Sequence, residues 1–100
     1  MIEMINRPLD KVQTRMTARV DGVLVDYFES PRGLEYTFHV FRDVPTDRAV
    51  AAVHKLAVAM RDQSYDHGQE WRIIEEEYAE PTPDNYNHRF RVRFRIKDSY

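Results

Sequence analysis

Cysteine is absent from this sequence. Disulfides, thiol nucleophiles and cysteine-ligated zinc are therefore excluded. Glycine is scarce, with three residues, each at a turn or bend signal. A glycine loop that cradles phosphate has nothing to be built from, and no G-x-S-x-G, P-loop or G-x-G-x-x-G spacing occurs. Long apolar runs are missing too. The opening stretch MIEMINRPLDK lacks the apolar core of a signal peptide, and no segment approaches the ~20 apolar residues of a membrane-crossing helix. A cytoplasmic protein without membrane contact is the expectation. Charge of one sign is also lacking: the formal net charge is -2. Attraction to a polyanion has to come from a local patch.

What is present suits an ordinary globular domain, with 42% apolar and 32% charged residues in 100. The reading places an N-terminal arm or short helix over 1–14 and a single α+β domain over 15–100. Residues 15–28, RMTARVDGVLVDYF, are rich in β-branched and aromatic types. Asp21-Gly22 within them is either a two-residue hairpin turn or a bend inside one long strand. The long-strand reading is preferred, because the SPRG turn at 30–33 then pairs Glu29 with Leu34 and lines up Tyr27 with Tyr36, Val25 with Phe38 and Val23 with Val40 on one apolar face.

Residues 43–63 carry the helix. Thr46 is the expected N-cap, and Asp47 and Arg61 suit the two ends of the helix dipole. At 100° per residue, Ala49, Val50, Ala52, Val53, Leu56, Ala57 and Met60 share one arc. Residues 70–78 and 88–97 form a second hairpin around a proline-containing loop. The expected architecture is a four-stranded antiparallel sheet in β-β-α-β-β order, with the amphipathic helix on one face. Ile2, Ile5, Leu9, Val12 and Met16 recur at heptad-like spacing. A helix from about Pro8 to Gln13 and an extended arm both accommodate them.

The most regular stretch is HRFRVRFRIK, 88–97. Phe90, Val92, Phe94 and Ile96 point to the core, so Arg89, Arg91, Arg93, Arg95 and Lys97 point away from it. Pairing Tyr78 with Phe90 sets Glu77 opposite Arg91 and Glu75 opposite Arg93, a charge-balanced ladder. The same register sets Ile73 opposite Arg95 and Trp71 opposite Lys97, and it buries Glu76. Shifting by one residue buries Glu75 and Glu77 instead, so a bulge is expected near the three glutamates.

The outward face then carries Leu24, Phe28, Phe41, Trp71 and Ile73 beside the ladder. One helix covers one face of a sheet, so this second face needs the N-terminal stripe, another subunit or a partner. Four histidines, at 39, 54, 67 and 88, show no metal-ligand spacing. A catalytic site would need several of Asp66, His67, Asp84 and His88 to converge. No catalytic, cofactor-binding or metal-binding residue is assigned, and no small-molecule substrate is inferred. The expectation is a non-enzymatic binding or regulatory accessory protein that uses the outward sheet face, in a homodimer or with another protein. The alternative is nucleic-acid binding through Arg89, Arg91, Arg93, Arg95 and Lys97, with Trp71 or Phe41 as the stacking ring.

Overall fold

A computed structural model describes residues 1–5, 15–31, 34–64 and 68–96. Its elements, in chain order, are β1 (Ile2–Ile5), β2 (Arg15–Val20), β3 (Val23–Glu29), β4 (Glu35–Phe41), α1 (Thr46–Gln63), β5 (Trp71–Ala79) and β6 (Asn87–Ile96). All six strands join one antiparallel sheet in the order β1-β2-β3-β4-β6-β5. The α+β class agrees with the sequence reading, while the strand count and order do not. Strand β6 returns between β4 and β5. The unit β4-α1-β5 therefore crosses over a strand, and β5 becomes an edge. No helix among the described residues is long and apolar enough to cross a membrane.

Two features enlarge the expected four-stranded sheet. Asp21 and Gly22 both have positive φ, 50° and 86°, the geometry of the two-residue hairpin turn that Asp-Gly favours. The long strand is thus two strands, with Val20 opposite Val23. The second feature is the pairing of Ile2–Ile5 with β2, which makes part of the N-terminal segment a sheet edge. The reading of Pro8 to Gln13 as a helix lies outside the described residues, as do Leu9 and Val12. At the next turn the register differs by two residues from the expected one. Tyr27 faces Phe38 and Val25 faces Val40, so the faces keep their predicted parity.

The helix begins at Thr46 without a side-chain cap, and Pro45 holds the cap position. Thr46 is therefore the first helical residue rather than the cap. Ala49, Ala52, Val53, Leu56 and Ala57 are buried against Ala18, Val20, Val25, Phe38, Phe90 and Val92. Val50 stays 43% exposed beside Tyr78 and Glu76 of the edge strand. The alanines bring the helix close to the sheet, and burying Leu56 fully contributes about 1.5–3 kcal/mol. At the far end Ser64 ties the helix to β5: its hydroxyl donates to the Arg61 carbonyl at 2.6 Å and accepts the Trp71 N–H at 3.2 Å.

The expected bulge is present. Register slips between Ile73 and Glu75, leaving Ile74 as the extra residue, 50% exposed. Beyond it Ile73 faces Phe94 and Trp71 faces Ile96, not Arg95 and Lys97. One inserted residue turns Trp71 and Ile73 onto the helix side while Glu75 and Glu77 stay outward. Glu76 is not buried, because β5 is an edge strand; its carboxylate meets His54 of α1 at 3.0 Å.

A buried histidine and a half-exposed tyrosine close the other end. His88, 2% exposed, accepts from the Tyr78 hydroxyl at Nδ1 and donates from Nε2 to the Val44 carbonyl, each at 2.7 Å. Tyr78→Phe leaves Nδ1 without a donor, and the expected loss in urea unfolding is about 1–3 kcal/mol.

Asp21 joins the first hairpin turn to the helix. Hydrogen bonds from Lys55 and from the terminal amino group hold its carboxyl down to about 2. A folded value below the unfolded one stabilises the protein above the unfolded value, and that contribution disappears as pH falls through about 2. Asp21→Asn keeps a residue that suits the turn. The urea midpoint of Asp21→Asn is expected below that of the parent at neutral pH, and the two should converge as pH falls from about 4 towards 2.

Candidate interaction surface

The face opposite α1 is built from alternate residues of the six strands. Across its centre run Ile5, Thr17, Asp26, His39, Arg89 and Ala79, each cross-strand neighbour to the next. The adjacent row holds Arg15, Phe28, Thr37, Arg91 and Glu77. This is the side on which the sequence placed Leu24, Phe28 and Phe41, and all three lie there. Leu24 is 46% and Phe41 57% exposed. Phe28 is half-buried and stacks on the His39 ring, with centroids 6.0 Å apart and planes 19° from parallel. Trp71 and Ile73, expected on the same side, pack against the core under the helix instead.

The ladder forms in the predicted register, with a third strand added. Arg91 reaches Glu77 of β5 and, at 3.3 Å, Glu35 of β4. Arg93 meets Glu75 at 3.4 Å. Sequence reasoning paired β6 with one acidic strand and so missed Glu35, which arrives because β6 lies between β4 and β5. The two outer arginines of the row differ from the inner two. Arg89 and Arg95 have no ion pair among the described residues, and Arg95 stands opposite Arg72. Lys97 lies outside the described residues.

A hollow of about 340 Å³ opens on this face between Phe28, Thr37, His39, Glu77, Arg89 and Arg91. Its lining combines the Phe28 ring with polar and charged side chains. Thr17, although on the open side, is 3% exposed and donates to Asp26 at 2.7 Å. Burial, then the Arg15 and Arg89 guanidinium groups, lower the His39 imidazole below the ordinary histidine value, while Asp26 opposes them. At neutral pH His39 is therefore an uncharged ring between two cations.

Comparisons with family models, with curated proteins and with solved structures return no match. The site has to be read from its own chemistry. Among the described residues no three metal-ligating side chains cluster. His88 is committed to Tyr78 and Val44, and Asp66 and His67 lie outside the described residues. At the end of the sheet Arg42 lies 5.3 Å from the centre of the Tyr86 ring, joining the loop before α1 to the loop between β5 and β6. Tyr86 remains 60% exposed.

His39 provides a probe of this surface. Its ring proton resonances are expected to titrate below the midpoint of an exposed histidine. Arg89→Ala should move that midpoint upward by removing one cation, and an unchanged midpoint would show that Arg89 is too well solvated to act on the hollow.

Proposed function

We propose that this chain is a non-catalytic binding or regulatory accessory protein whose open sheet face takes up another protein, first of all a second copy of itself. The observation that carries this is the pairing of exposed Leu24 and Phe41 with a charge-interleaved sheet face that no described element covers. Water against Leu24, Phe41 and the Phe28 ring is replaced favourably by another apolar surface, at about 25 cal/mol per Å². Arginines and glutamates alternate from β4 through β6 to β5. A two-fold axis can therefore set the arginines of one copy against the glutamates of the other, as a self-complementary interface requires.

A second reading rests on a different observation. Arg89 and Arg95 have no ion pair among the described residues, and Arg15 stands opposite Phe28 and acts on the His39 ring. Cations beside a stacked aromatic pair suit a single-stranded nucleic acid. Phe28 would be the stacking ring in this reading, since Trp71 faces the helix.

Sedimentation velocity separates the two. Self-association predicts a species near twice the 12.0 kDa chain mass at micromolar concentration, which Leu24→Ser with Phe41→Ser returns to the monomer. Both residues are exposed, so the double variant is expected to fold. A monomeric parent retained on heparin, with retention that falls steeply with salt, moves the assignment to nucleic acid. A monomer without retention removes both readings of self-association and polyanion binding.

A further inference from the structure

The helix side of the sheet holds a second, larger opening. Between the C-terminal turn of α1 and the ends of β2, β3 and β4 lies a groove of about 540 Å³, a volume within the usual range of small-ligand sites. Its apolar lining comes from Met16, Tyr27, Tyr36, Met60 and Trp71, and Glu29 stands at its mouth. The rings form a chain: Tyr27 to Tyr36 is 6.4 Å and Tyr36 to Trp71 is 6.5 Å between centroids. Trp71 is fixed from two directions, by its backbone N–H to Ser64 and by its indole N–H to Gln69 at 3.2 Å. The bulge at Ile74 is what brings this indole to the groove.

Charge decides what such a groove accepts. Among the described lining residues Glu29 is the one acidic or basic side chain, and it has no ion pair among the described residues. Its field reaches the groove: after burial, Glu29 is the next cause that raises the Tyr36 phenol above its ordinary value. Aromatic faces carry negative potential as well, and a cation against them gains most when it is weakly hydrated. An anion meets repulsion from both. A neutral apolar ligand gains the rings but nothing from the carboxylate. The two methionines have flexible thioether chains that fit themselves around a rounded group.

We propose that the groove lined by Tyr27, Tyr36 and Trp71, with Glu29 at its mouth, is a binding site for a small organic cation bearing a methylated ammonium group. The site is separate from the open sheet face and stands or falls independently of it. The cation can be a free small molecule or a methylated lysine side chain, since the recognised group is the same.

Trp71 is the single tryptophan of the chain, so its fluorescence reports on this groove alone. The test titrates the protein at constant ionic strength with choline and with its neutral carbon isostere, 3,3-dimethylbutanol. Saturable quenching by choline is expected, with the isostere at least about tenfold weaker. Glu29→Gln, an exposed change that should leave the circular dichroism spectrum intact, is expected to close that gap by weakening choline alone. A trimethyllysine peptide, with its acetyllysine counterpart as control, distinguishes the sources. Tighter binding than choline marks a protein side chain, and equal binding marks a free small molecule. Equal affinity of choline and isostere overturns the proposal, as does no response to choline up to ~100 mM or an unchanged preference in Glu29→Gln.

Discussion

Alternation along β6 is the constraint from which the rest follows. Phe90, Val92 and Phe94 are buried under the helix, and the arginines between them have to leave on the other side. A strand that sends every second residue into the core sends an equal number out of it, and here all of those after Asn87 are cations. Repulsion along that row calls for carboxylates on both neighbouring strands, and Glu35, Glu75 and Glu77 meet it. The acidic strand β5 must then hold its glutamates outward while still delivering Trp71 and Ile73 to the core. The bulge at Ile74 reconciles those two demands.

The two faces of the sheet consequently obey different physics. Under α1 the centre of the surface is buried and its polar groups are hydrogen-bonded: Ser64 to Trp71, and His88 between Tyr78 and Val44. On the open side the charges are mostly paired, yet Leu24 and Phe41 remain in contact with water. Leu24, Phe28 and Phe41 lie on β3 and β4, strands that are paired on both sides.

The aromatic groove arises from the shape of the helix. α1 stops at Gln63, while Tyr36, Tyr27 and Trp71 continue the apolar surface beneath its end. A longer helix would have filled that space. Among the described residues Tyr36 and Trp71 are only part-covered on the helix side, opposite the ladder, while Tyr27 is buried.

Much of this was legible in the sequence because it is local. Period-two alternation assigned the faces of residues 89–95, though Ile96, expected in the core, is 39% exposed at the strand end; the 100° periodicity identified the helix within 43–63, and pairing Tyr78 with Phe90 set Glu77 against Arg91 and Glu75 against Arg93. The need for a bulge was readable too, since neither uninterrupted register of 70–78 was free of buried glutamate. The direction of that bulge was not, and neither was the face of Trp71, because one inserted residue reverses every side chain before it. Strand order, the partnership of Arg91 with Glu35, the capture of Ile2–Ile5 as an edge and the aromatic groove were decided only in the tertiary structure. Each depends on contacts between residues far apart in the chain, where burial and pairing are settled by the whole sheet and no local pattern records the choice.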